Sequence, residues 1–112
     1  MHEYSVVEAL LEQVAQQVAS HGARAVARVE VRIGASSGVE ADLFRSAFAA
    51  LSARTACDGA ELAIERVPSR WVCTACACDV VEAEGLRCNA CGATPELVSG
   101  DELMLDRLEL EV

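Results

Sequence analysis

The chain has 112 residues, the size of one ordinary domain or of a small domain that carries an inserted mini-domain. Its 18 acidic and 9 basic residues give a net charge of −9, which argues against nucleic acid as a partner because phosphate binding needs clustered positive charge. No apolar run approaches the roughly 20 residues that a membrane-spanning helix needs, and the first residues lack a secretory pattern. We therefore expect a cytoplasmic protein that binds neither nucleic acid nor membrane.

The first predicted element is an amphipathic helix. Ser5 and Glu8 match a capping box, which predicts a helix start near residue 5 and leaves Met1 to Glu3 just outside the helix. His21 and Gly22 suit its C-terminal end. The apolar residues recur at spacings of three and four, opposite a face of Glu and Gln. These apolar positions are Val7, Leu10, Leu11, Val14 and Val18.

A strand and a second helix follow. The strand is predicted over roughly Ala25 to Gly34, where Val29, Val31 and Ile33 alternate with charged residues. A second capping box, Ser37 with Glu40, predicts the start of the second helix. The apolar face of that helix is predicted to consist of Leu43, Phe44, Ala47, Phe48 and Leu51.

Two more strands complete the predicted fold, from about Ala60 to Val67 and from about Glu102 to Val112. In the last strand the apolar residues change from odd to even positions between Leu105 and Leu108, which indicates a bulge or bend. The expected class is α+β, a three-stranded sheet with two helices on one face and an inserted four-cysteine zinc-knuckle domain. The first domain is predicted to comprise residues 1–67 and 101–112, and the inserted domain residues 68–100.

Four of the six cysteines form two CxxC units, Cys73–Cys76 and Cys88–Cys91, which are separated by 11 residues. Each unit can bring two thiolates to one ion at about 2.3 Å, and two units complete a tetrahedron. A site filled by four thiolates has no open position for substrate, so we predict structural zinc and no catalytic role. Metal binding supplies on the order of 10–16 kcal/mol in comparable small domains, enough to fold an insert with few large apolar residues.

Alternative interpretations of the cysteines are a redox CxxC pair and an iron–sulfur site. The short spacer and the lack of a βαβ pattern around either unit disfavour both. Cys78 either competes as a ligand or lies idle beside the site, and both Cys78 and Cys57 are interpreted as small residues with a weak thiol.

The sequence Met1-His2-Glu3 carries little weight alone, because an early histidine is usually solvated and Glu3 suits the start of a helix. The segments that follow it in the chain make Met1-His2-Glu3 more informative. Four segments together resemble the HypA/HybF family of accessory proteins for nickel insertion into [NiFe] hydrogenases. They are MHE at the start, GVEADLFRSAF, GAELAIERVP before the paired CxxC units, and SGDELMLDRLELEV at the end. The resemblance covers the whole chain in order.

The resemblance implies a nickel metallochaperone rather than an enzyme, with Ni(II) as transient cargo at His2 and structural zinc at Cys73, Cys76, Cys88 and Cys91. Two fused chelate rings can form around one ion from the α-amine of Met1, the backbone nitrogen of His2 and the imidazole of His2. Glu3 or a backbone nitrogen can supply the fourth donor. Nitrogen-rich donor sets suit Ni(II). The implied partners are a HypB-type GTPase and the hydrogenase large-subunit precursor, and the chain is expected to be a monomer or weak homodimer.

Relatives with the same motifs often carry glycine after the first CxxC, whereas this chain has Ala77 followed by Cys78. This difference concerns the shape of the first knuckle. The alternative function is a zinc-ribbon module for protein interaction with no nickel site. Neither function requires His21, which is interpreted as a helix-terminal residue.

Overall fold

The structure, a computed structural model, describes residues 3–81 and 85–112. The order of elements is α1 (Glu3–His21), β1 (Ala25–Gly34), α2 (Ala41–Leu51), β2 (Glu61–Val67), β3 (Arg70–Cys73), β4 (Cys78–Val80), β5 (Glu96–Ser99) and β6 (Leu103–Glu111). The predicted class is confirmed: two helices, a three-stranded sheet and a four-cysteine cluster make an α+β fold. Within the described ranges, no helix is both long and apolar enough to cross a bilayer.

The larger sheet has the strand order β2-β1-β6. β1 pairs in parallel with β2 and antiparallel with β6, so β1-α2-β2 forms a crossover unit of the kind that parallel strands require. The expected irregularity in β6 is confirmed. Glu30 pairs with Arg107 and Val31 with Leu105, which leaves Asp106 as an extra residue on β6.

The core lies between this sheet and the two helices. The predicted alternation in β1 is confirmed, because Val29, Val31 and Ile33 are buried against α1 and α2. Cys57 is 2% exposed within the same cluster, and burial raises the pKa of its thiol, as expected for a small, unreactive core residue. The other buried members are Val7, Leu10, Val14, Val26, Phe44, Ala47 and Phe48.

The predicted start of α1 was wrong. The helix already includes Glu3, so Ser5 lies within its first turn and cannot be its cap. The carboxylate of Glu3 accepts a hydrogen bond from the backbone N–H of Glu40 at 3.1 Å. A partner 37 residues away in the sequence therefore contributes to the order of this end of the helix. At the other end, His21 Nδ1 lies 2.9 Å from the carbonyl oxygen of Gln17, which confirms its helix-terminal role.

The second predicted capping box was also wrong in its details. Ser37 accepts a hydrogen bond from the backbone N–H of Val39 in a local turn. The N-cap of α2 is Glu40 itself, whose carboxylate accepts from the N–H of Leu43 at 2.8 Å. Leu43 is 56% exposed and does not belong to the buried face of α2, contrary to the prediction.

The region after Pro68 contains a second sheet that periodicity did not predict. Its strand order is β4-β3-β5, and all the pairs are antiparallel. These strands have three or four residues each and are mostly exposed or half-buried, so they leave almost no alternating pattern in the sequence. The division into residues 1–67 with 101–112 and residues 68–100 stays a prediction.

Candidate metal centre

The four predicted ligands come together at one end of the smaller sheet. Cys73 is the last residue of β3, and Cys76 lies in the tight turn between β3 and β4. Cys88 and Cys91 belong to a second turn before β5. The four Sγ atoms all lie within 4.8 Å of one another, and Cys73 Sγ is 3.6 Å from Cys91 Sγ.

This donor set fits a tetrahedral thiolate-bound ion. Metal–sulfur bonds of about 2.3 Å place neighbouring sulfurs of a tetrahedron about 3.8 Å apart, close to the separation of Cys73 and Cys91. Cys73 is fully buried and Cys88 is 3% exposed, whereas Cys76 and Cys91 are exposed. The centre therefore has an inner and an outer side. With four sulfurs on one ion there is no open coordination position.

Backbone hydrogen bonds build the second turn. The N–H of Gly92 donates to the carbonyl oxygen of Cys88 at 2.7 Å, and the N–H of Cys88 donates to that of Ala93 at 2.9 Å. The N–H groups of Cys91 and then Ala90, directed at the Cys88 sulfur, lower the pKa of that thiol to about 6. The lowered pKa of Cys88 favours its thiolate, the form that binds metals.

The neighbouring thiols have the opposite effect on Cys76. Hydrogen bonding with the thiols of Cys91, Cys88 and Cys73 raises the pKa of Cys76 to about 12. A second or third negative sulfur in this small volume is unfavourable unless a cation compensates the charge. The arrangement is therefore suited to a divalent ion, which would release the remaining protons as it binds.

The two turns share a left-handed residue directly after the second cysteine of each CxxC unit. Gly92, directly after the second CxxC unit, has φ +75°, and Ala77, directly after the first, has φ +53°. Both residues are in the left-handed region, which is costly for any residue with a Cβ atom. Ala77 therefore has a backbone conformation that glycine adopts more readily, at the expense of local strain.

The predicted nickel ligands are only partly within the described residues. Met1 and His2 lie outside them. Glu3 is described, and its carboxylate is bound to the N–H of Glu40 at the start of α2. Met1, His2 and Glu3 begin a chain whose cysteine cluster is about seventy positions later in the sequence.

The fold and the site together define a class: a small α+β protein that carries a four-cysteine metal cluster on a separate short-stranded sheet. A family model described as "Hydrogenase/urease nickel incorporation, metallochaperone, hypA" matches residues 1–110. The chain belongs to this HypA family of nickel metallochaperones.

Individual relatives agree with this assignment. A hydrogenase maturation factor HypA of Nitrosospira multiformis is 45% identical over 98% of this chain and 97% of its own length. One from Wolinella succinogenes is 40% identical over 99% and 96%. The solution structure of the Ni metallochaperone HypA from Helicobacter pylori matches with a TM-score of 0.74 at 29% identity, over 99% of this chain and 98% of that one.

Proposed function

We propose that this protein binds Ni(II) through its first three residues and delivers it to the precursor of a [NiFe] hydrogenase large subunit. The observation that carries the proposal is membership of the nickel-incorporation family over residues 1–110. Three nitrogen donors from Met1 and His2 form fused chelate rings around the ion, a set that suits Ni(II). The protein acts by binding and release, without catalysis, in the cytoplasm.

Glu3 has a particular place in this proposal. Its carboxylate lies at the N-terminus of α2, where it accepts the N–H of Glu40. Anionic groups are favoured at such positions because the helix dipole and unpaired N–H groups stabilise negative charge. Glu3 therefore holds the start of α1 against α2, and we propose that it orients the donors of Met1 and His2 or completes the nickel ligand set itself.

We propose that the cysteine cluster holds structural zinc. Four thiolates within 4.8 Å of one another are a donor set that zinc favours, and the closed coordination sphere suits a scaffold. Zinc would order β3, β4 and β5 as a docking surface. The docking partners in this proposal are a HypB-type GTPase and the large-subunit precursor, and the chain acts as a monomer or weak homodimer.

Delivery requires that nickel leave as readily as it arrives. Donors at a chain end can be replaced one at a time by donors of the acceptor, without unfolding a core. The affinity for nickel at Met1 and His2 is expected to be moderate for the same reason. The cysteine site differs, because its four sulfurs leave no open coordination position.

The proposal is tested by adding Ni(II) to zinc-loaded protein with either a native or an extended N-terminus. The native form is expected to bind one Ni(II) with a visible spectrum of nitrogen-rich coordination, and the extended form is expected to lose this site because its α-amine is displaced. Transfer is then followed by mixing nickel-loaded protein with large-subunit precursor and a HypB-type GTPase. Equal nickel binding by both forms would contradict the ligand set, and no nickel binding by either form would favour the alternative of a zinc-ribbon interaction module.

A further inference from the structure

A fifth thiol lies beside the four-cysteine cluster. Cys78, the first residue of β4, is exposed, and its Sγ lies 3.9 Å from that of Cys88. This separation is close to the roughly 3.8 Å expected between two sulfurs bound to one tetrahedral ion. The distance therefore already suits a ligand pair.

The register of the smaller sheet is a second, independent observation. Cys78 is paired directly opposite Cys73 across β3 and β4, and directly opposed residues of an antiparallel pair project to the same side of the sheet. Since Cys73 is a ligand, the backbone directs the Cys78 side chain toward the same centre. A cysteine at the next position along β4 would project to the other face.

The position of Cys78 in the chain indicates which ligand it can replace. In the set Cys73, Cys78, Cys88 and Cys91, the separations of 3.6 Å for Cys73–Cys91 and 3.9 Å for Cys78–Cys88 would form two opposite edges of one tetrahedron. The ligand left out of this set is Cys76, which lies two residues before Cys78 in the turn between β3 and β4, so the two can exchange without movement of the second turn that holds Cys88 and Cys91.

We propose that Cys78 is an alternative ligand of the metal centre, which exchanges with Cys76 while Cys73, Cys88 and Cys91 remain bound. In this exchange the Cys78 thiol gives its proton to solvent and its sulfur forms a bond to the ion. The bond from Cys76 breaks, and Cys76 takes up a proton. Charge and coordination number are unchanged, and the centre can change the shape of its first turn without losing the metal.

The inference rests on the proposed divalent metal at the cysteine cluster, and the experiment separates the two. Zinc is measured first in the wild type, where one zinc per chain is expected and none would contradict the metal site itself. The probe for exchange is Co(II) in place of zinc, because the intensity of the thiolate-to-cobalt charge-transfer band rises with the number of bound thiolates.

Four variants are compared with the wild type. C78A and C76A are both expected to keep the four-thiolate intensity, whereas the double variant C76A/C78A falls by about one quarter. C91A is the matched control and falls by about one quarter although Cys78 is present. The inference is overturned if C76A gives the same spectrum as C76A/C78A, or if C91A retains four thiolates.

A measurement on the unmodified sequence covers the case in which C76A does not fold. Zinc-loaded wild-type protein is treated with limiting iodoacetamide, and the labelled positions are located by mass spectrometry. With exchange, the label is divided between Cys76 and Cys78 while zinc stays bound and the buried Cys57 is unlabelled. Label at Cys78 alone, with Cys76 fully protected, would contradict exchange.

Discussion

Gly34 and Gly100 are in contact at the junction of the two sheets. A Cβ atom at Gly34 would lie 2.0 Å from the carbonyl oxygen of Gly100 and 2.7 Å from the backbone nitrogen of Asp101. The N–H of Ser36 donates to the same Gly100 carbonyl at 2.6 Å. The end of β1 thus passes directly against the link between β5 and β6, which only a residue without a side chain permits.

The first prediction concerns this contact. G34A is expected to lower the free energy of unfolding by about 3 kcal/mol or more, because the obstructing atoms belong to the backbone and cannot move aside. The matched control is G59A, whose Cβ would meet nothing within 4 Å and whose φ of +78° accounts for a cost of about 1 kcal/mol. Chemical denaturation of both variants measures the difference; equal losses would contradict the close contact.

The second prediction concerns the strained knuckle residue. A77G is expected to relieve the strain of the left-handed backbone and to tighten zinc binding by about 1 kcal/mol, or roughly fivefold. This figure is smaller than the full strain energy, because glycine also increases the conformational entropy of the unfolded chain. G92A is the reciprocal variant and is expected to weaken binding by a similar factor. Competition with a chelator of known affinity gives both constants. A weaker site in A77G would show that Ala77 is not strained.

The third prediction is a pH dependence at Glu102. Its carboxylate accepts the backbone N–H of Gly100, and this bond lowers the pKa of Glu102 below its ordinary value of 4.5. A lowered folded-state pKa means that the stabilisation is complete above about pH 4.5 and is lost as the pH falls through the folded value.

The expected result for E102Q is therefore a lower melting temperature than the wild type at neutral pH, with a difference that shrinks on acidification. Thermal unfolding of both proteins at several values between about pH 6 and about pH 3 measures this difference. A gap that stays constant or widens toward low pH would be inconsistent with the Glu102–Gly100 bond.

The fourth prediction concerns metal removal and the domain division. Chelation is expected to unfold β3, β4 and β5, because Cys73 is the one fully buried residue of these short strands. The sheet of β1, β2 and β6 retains its own apolar core. Hydrogen exchange should therefore show protection lost across residues 68–100 and kept in β1. Simultaneous loss in both sheets would mean that the chain folds as one unit.

These features differ in how far the sequence alone predicted them. In a strand with one buried face, every second side chain points into the core. The local pattern of apolar residues was therefore sufficient to predict the alternation in β1 and the phase change in β6. The clustering of Cys73, Cys76, Cys88 and Cys91 was equally predictable, because CxxC spacing is typical of turns that direct two sulfurs to one point. Their role as zinc ligands stays a prediction.

The failed predictions for α1 and for the second sheet depend on partners outside the local sequence. Glu3 begins α1 with an N–H from Glu40 as its partner, and no local motif contains that information. The second sheet was missed because its short strands are held by pairing and the cysteines rather than by an apolar stripe. The departure at Ala77 was visible in the sequence, but whether its backbone would follow the glycine conformation required the structure.

The central claim, nickel binding at the chain's N-terminus, is tested most directly by comparing its two histidines. His2 is the proposed nickel ligand, and His21 is the matched control because its ring is already bound to the Gln17 carbonyl at the end of α1. Zinc-loaded wild type, H2A and H21A are titrated with Ni(II), and both metals are counted per chain. We expect one nickel and one zinc in the wild type and in H21A, and one zinc but no nickel in H2A. Unchanged nickel stoichiometry and affinity in H2A would contradict the account.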